Sequence, residues 1–130
     1  MTTQDKKILI VDDDKDFVEA VACFLESHRF TVFKAYDGKE GLKLARMDPP
    51  DVILMDIMMT ERTEGFYTIQ EIRRDSLLKR IPIFVLSSFC THLPDIEIPS
   101  SWLASDMFLP KPVNLGHLLE KIRQRVGKAA

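Results

Sequence analysis

At 130 residues, the chain suits one compact domain, and its 45% hydrophobic and 29% charged residues are the balance of an ordinary globular protein. A net charge of -2, with both signs scattered, leaves no electrostatic footprint for nucleic acid and no polybasic membrane patch. The apolar runs are too short to cross a bilayer, and the run from Ile8 stops at Asp12, too soon for a signal peptide. Cys23 and Cys90 lack metal-ligand spacing and read as reduced thiols of a cytoplasmic protein.

The first element is Ile8-Leu9-Ile10-Val11, a continuous apolar run rich in β-branched residues, expected as a strand buried on both faces. After Asp12-Asp13-Asp14 the period changes. Phe17, Val18, Val21, Ala22 and Leu25 fall at helical spacing, which predicts a helix to about His28. Phe30 to Ala35 reads as a second strand, less buried because of Lys34. Asp37, with Glu40 three residues on, reads as the N-cap of a helix that Pro49-Pro50 stops. Val52 to Met55 is the third strand. A loop then runs to Gly65, followed by a helix with Phe66, Ile69 and Ile72 inward. Ile83 to Leu86 and Met107 to Leu109 are the fourth and fifth strands. Asn114 caps a last helix with Leu115, Leu118, Leu119, Ile122 and Val126 on one face, a core stripe rather than an interface.

This alternation predicts an α/β fold: a flavodoxin-like, doubly wound, five-stranded parallel sheet of order 2-1-3-4-5. One segment breaks the pattern. The helix expected between the fourth and fifth strands falls on SFCTHLPDIEIPSSWLASD, where Pro94 and Pro99 forbid a continuous helix and predict irregular chain. Trp102 lies there and reads as packing that replaces missing helix contacts. His28, His92 and His117 are scattered and receive no role.

In such a sheet, ligands bind at the carboxyl ends of the strands. The first strand ends in Asp12-Asp13, the third in Asp56 and the fourth in Ser87-Ser88, and Lys111-Pro112 follows the fifth. Singly these are caps and turn residues, and Asp14 remains a helix cap. Together, the predicted topology brings three carboxylates, a hydroxyl and an ammonium to one edge. Carboxylates held close repel one another, and Mg²⁺, which takes oxygen ligands and joins carboxylates to phosphoryl groups, relieves this. A carboxylate nucleophile can form an aspartyl phosphate. Asp56, central among the strands, is the best candidate, with Lys111 supplying charge and Ser87 a neutral donor.

With these residues in place, the chain resembles the receiver domains of two-component response regulators. The resemblance rests on ILIVDDD from Ile8, DVILMD ending at Asp56, IPIFVLSS from Ile81 and FLPKP from Phe108. It implies that Asp12 and Asp13 bind Mg²⁺, Asp13 more directly, and that the backbone carbonyl of Met58 joins Asp56 in doing so. It implies that Asp56 is the phosphoacceptor, that Ser87 and Lys111 engage the phosphoryl group, and that Phe108 is the switch aromatic. It also implies a cis peptide at Lys111-Pro112. The implied partners are a sensor histidine kinase or phosphotransfer protein and a downstream protein that the sequence does not name. The chain would then be a phosphorelay phosphoprotein, catalysing only its own phosphorylation and slow dephosphorylation. One receiver domain is expected across residues 1–130, with its core at about 6–127 and no output domain.

The chain departs from the family pattern in places. Thr60 stands where receivers usually carry Pro, the following loop is one residue longer, and Ser88 replaces the usual Ala. The stretch from Pro94 to Ser105 lies on the surface that partners of receivers read, which leaves a phosphorylation-independent adaptor as the alternative. Met58 and Phe89 are expected to flank the phosphoryl group. Neither can orient an attacking water, which predicts slow self-dephosphorylation. A flavin-binding domain would want a Ser/Thr/Gly-rich loop after the first strand rather than three aspartates. An aspartate-nucleophile phosphatase would want a DxDx[TV] pattern and a longer chain.

Overall fold

A computed structural model describes residues 6–56, 64–87 and 107–127 of the chain. The described elements are β1 (Lys7–Val11), α1 (Lys15–Ser27), β2 (Thr31–Ala35), α2 (Gly38–Met47), β3 (Val52–Asp56), α3 (Glu64–Arg74), β4 (Ile83–Ser87), β5 (Met107–Pro110) and α4 (Leu115–Val126). The strands form one parallel sheet in the order β2-β1-β3-β4-β5, as expected.

The two faces of the sheet explain why its central strands are apolar without interruption. Ile8, Ile10, Val52, Leu54, Phe84 and Leu86 pack into one core with Val18, Val21 and Leu25 of α1 and Leu118 and Ile122 of α4. The alternate residues Leu9, Val11, Ile53, Met55, Ile83 and Val85 pack into a second core with Ala45 of α2 and Ile69 and Ile72 of α3. Successive strand residues point to opposite faces, so a strand covered on both sides carries no polar alternation. β2 is the exception expected from Lys34: it lies at the sheet edge and is only partly buried until Ala35.

Caps set the helix starts. Asp14 accepts from the Phe17 amide, Asp37 from Glu40 and Asn114 from His117. The Glu40 side chain in turn accepts the Tyr36 amide at 3.3 Å, tying the chain entering α2 to its first turn. β1 starts at Lys7, one residue before the apolar run, and α3 starts at Glu64 rather than after Gly65.

The second strand begins at Thr31 rather than Phe30, and the reason lies in the end of α1. Arg29 takes φ 69°, the Arg29 amide donates to Glu26 and the Phe30 amide donates to Leu25. This is a Schellman closure with Arg in the position glycine usually holds, and buried Phe30 packs in the same core as Leu25. Phe30 therefore seals a helix and is not the start of a strand. The irregular segment expected between the fourth and fifth strands, with Pro94, Pro99 and Trp102, lies outside the described residues. Among the described residues, no helix is long and apolar enough to cross a membrane.

Candidate functional site

Strand register brings the acidic residues together. Val11 of β1 pairs with Met55 of β3, so Asp12 and Asp56 leave adjoining strands at the same level. Both continue the alternation that faces α1 and α4. The Asp12 amide stays tied to the sheet by donating to the Ala35 carbonyl at 3.1 Å. Asp12 and Asp56 are 1% and 4% exposed, the two buried acids among the described residues, while Asp13 is exposed. Each of the three offers a carboxylate oxygen within 4.8 Å of the others.

Burying carboxylates is costly unless a charge or donor compensates. Here Lys111 is one such partner. It follows β5, on the far side of β4 from Asp56, and its long side chain spans that strand. Its Nζ donates to Asp12 Oδ2 at 2.7 Å and reaches Asp56 Oδ2 at 3.5 Å. Asp12 Oδ1 accepts the Asp14 amide at 2.9 Å, so both oxygens of Asp12 are held. Burial pulls the Lys111 ammonium toward losing its proton. The hydrogen bond to Asp12 and the charges of Asp56 and Asp12 outweigh that, so its pKa sits above the ordinary lysine value. A charged lysine is thus built into the site.

The sequence-predicted residues divide into those the structure unites and those it leaves undescribed. Asp12, Asp13, Asp56 and Lys111 meet at one edge, and the Lys111-Pro112 peptide is cis. The Ser87 backbone ends β4 opposite Pro110, and the Phe108 backbone pairs with Val85. Their side chains, like Met58 and Phe89 as a whole, lie outside the described residues. Asp14 is the helix cap it was expected to be. One contact was not foreseen: the Lys111 ammonium sits 4.3 Å from the centroid of the Phe17 ring. Helical spacing had marked Phe17 only as core, and nothing in its spacing points to residue 111.

The donor set suits a hard divalent cation. Three carboxylates offer oxygen and no sulfur or imidazole, which is Mg²⁺ chemistry rather than that of a soft metal. The arrangement can therefore hold Mg²⁺ beside a carboxylate nucleophile and an ammonium.

The chain as a whole is similar to known proteins. The family model for the response regulator receiver domain matches residues 8–123. PilH of Pseudomonas aeruginosa is 34% identical over 119 residues, covering 89% of this chain and 93% of PilH. The transcriptional regulatory protein CpxR of Escherichia coli is 32% identical over 90% of this chain, which spans only 47% of CpxR. Among solved structures, the chemotaxis protein CheY4 of Vibrio cholerae superposes with a TM-score of 0.76 at 28% identity, covering 92% of this chain and 98% of CheY4. The receiver domain of the hybrid histidine kinase CckA superposes with a TM-score of 0.73 at 25% identity over 92% of this chain. The chain belongs to the receiver domains of two-component response regulators, a signalling family whose members are modified on an aspartate.

Proposed function

We propose that Asp56 is the phosphoacceptor and that this chain works as a cytoplasmic phosphorylation switch. A sensor histidine kinase or a phosphotransfer protein supplies the phosphoryl group as phosphohistidine. An Asp56 carboxylate oxygen attacks phosphorus, the P–N bond breaks, and its electron pair leaves with the imidazole. The product is an aspartyl phosphate. Asp12 and Asp13, with Asp56, would hold Mg²⁺, and the Met58 carbonyl would complete the protein ligands. Bound there, Mg²⁺ would offset the negative charge shared by acceptor and incoming group.

Lys111 is poised to receive phosphoryl oxygen, because its ammonium lies between Asp12 and Asp56. That placement, beside three carboxylates whose oxygens lie within 4.8 Å of one another, is the observation that carries the reading. The remaining roles follow from the family pattern. Ser87 supplies a hydroxyl that follows the phosphoryl group, and Phe108 turns with it to change the surface a downstream protein reads. The receiver unit proposed for this role spans about residues 6–127.

The test is intact mass after incubation with acetyl phosphate and Mg²⁺, beside an Asp56→Asn variant and an EDTA control. One added phosphoryl group, absent from both controls, is expected. No added mass on a folded protein would favour the adaptor, with Pro94 to Ser105 as the working surface. The lifetime of the phosphorylated form tests a second part of the reading. A Met58→Asn plus Phe89→Glu variant is expected to lose its phosphoryl group faster than wild type.

A further inference from the structure

We propose that Phe17 is a positioning residue for Lys111, holding its ammonium at the acceptor when a divalent cation takes Asp12. This rests on the reading of Asp56 as phosphoacceptor. The Lys111 Nζ has Asp12 at 2.7 Å, Asp56 at 3.5 Å and the Phe17 ring centroid at 4.3 Å. The first two neighbours are the carboxylates a cation would claim. A cation seated there competes for the oxygens that anchor the ammonium and repels it as well. The ring is different. It is no ligand for a hard cation and no acceptor for a phosphoryl group, so its attraction for the ammonium survives both events.

The ring is also well placed to hold. Phe17 sits in the first turn of α1, its amide bonded to the Asp14 cap at 3.2 Å. It is partly buried against the core that α1 and α4 share. With Val21, Pro112 and Val113 it lines the apolar cleft beside Lys111. The Lys111 side chain is only 21% exposed, so water screens the contact weakly. The competing explanation is that Phe17 packs and does nothing more. Leucine keeps apolar packing without a ring face, whereas tyrosine keeps the face.

The experiment compares the wild-type chain, Phe17→Leu and Phe17→Tyr, each checked for folding by thermal unfolding. The first readout is the NMR shift of the Lys111 side-chain protons, assigned by their loss in Lys111→Arg. A ring-current displacement is expected in wild type and Phe17→Tyr, persisting at saturating Mg²⁺, and absent in Phe17→Leu. The second readout is phosphorylation by acetyl phosphate at saturating Mg²⁺. Phe17→Leu should be slower by about three- to tenfold, the range into which a partly desolvated cation–π contact converts. Its Mg²⁺ affinity should stay within about twofold of wild type, and the Phe17→Tyr rate should as well. An undisplaced Lys111 signal in Mg²⁺-loaded wild type overturns the proposal, as does a Phe17→Tyr rate as low as that of Phe17→Leu. If wild type takes no phosphoryl group, the reading of Asp56 fails, and the NMR comparison still decides the role of Phe17.

Discussion

Two lysine–aspartate pairs of nearly equal length stand at opposite edges of the sheet. Lys7 Nζ lies 2.6 Å from Asp48 at the amino edge, and Lys111 Nζ lies 2.7 Å from Asp12 at the carboxyl edge. Distance does not separate them; exposure does. The first pair is 34% and 48% exposed, while the second joins a lysine at 21% to an aspartate at 1%. At the amino edge each acid meets a local need. Asp51 accepts the Lys7 amide at 2.7 Å and returns its own amide to the Lys7 carbonyl at 2.8 Å, fastening the start of β1 to β3. At the carboxyl edge Lys111 bridges Asp12 and Asp56. Here the acid that precedes β3 closes a backbone, and the acids at the ends of β1 and β3 meet across adjoining parallel strands.

The largest expected effect breaks this contrast at its functional end. Asp12→Asn and Asp13→Asn should each slow phosphorylation by acetyl phosphate and Mg²⁺ about a hundredfold or more, since metal charge stabilisation is worth several kcal/mol. Asp48→Asn and Asp51→Asn should stay within about twofold, because neither touches the reacting atoms. Metal removal gives a second measure without phosphorylation. Mg²⁺ at about 100 times its Kd should stabilise wild type and Asp48→Asn by about 2.7 kcal/mol. EDTA should abolish the gain, and Asp12→Asn should show little of it. Chemical denaturation with and without Mg²⁺ reads both. An equal gain in Asp12→Asn would move the metal elsewhere.

The same contrast explains what was legible in the sequence. Ile8 to Val11 and Ile83 to Leu86 announced doubly covered strands, because a short β-branched run covered on both faces carries no polar alternation. Once the strand order followed, Asp12, Asp56 and Lys111 had to share an edge, since parallel strands all end on one side. Phe30 was not legible as a helix seal. Its β-favouring neighbours matched a strand, while the closure depended on Arg29 adopting φ 69°, which glycine would have signalled and arginine does not. Nor was the role of the Phe17 ring legible, because helical spacing reports which face is inward and not what crosses the sheet to meet it.

Gly41 tests how far packing under the site matters. A Cβ built there would lie 2.7 Å from Cγ2 of Val11, a fully buried residue immediately before Asp12. Valine is stiff at χ1 and cannot swing aside. Gly41→Ala should therefore destabilise by about 1–3 kcal/mol despite the better helix propensity of alanine. It should slow phosphorylation too, because Val11 carries the register of Asp12. Asp51→Ala, at the amino edge, should cost about 1 kcal/mol for the lost amide acceptor and leave phosphorylation alone. Equilibrium denaturation beside intact mass separates the two outcomes.

The smallest expected effect belongs to the Lys7–Asp48 pair itself. A double-mutant cycle with Lys7→Met and Asp48→Asn should return a coupling of about 0.2–1 kcal/mol, the value of a water-accessible surface pair however short its distance. The coupling should fade toward zero in 1 M salt, where the Debye length falls to about 3 Å. A matching cycle on Lys111 and Asp12 should return more, and lose less of it to salt, because Asp12 is buried and screening ions have little access to it. If both cycles were equally salt-sensitive, exposure would not be what distinguishes the edges. The buried pair would then be held no more firmly than the surface one, and Lys111 would not be preorganised for a phosphoryl group.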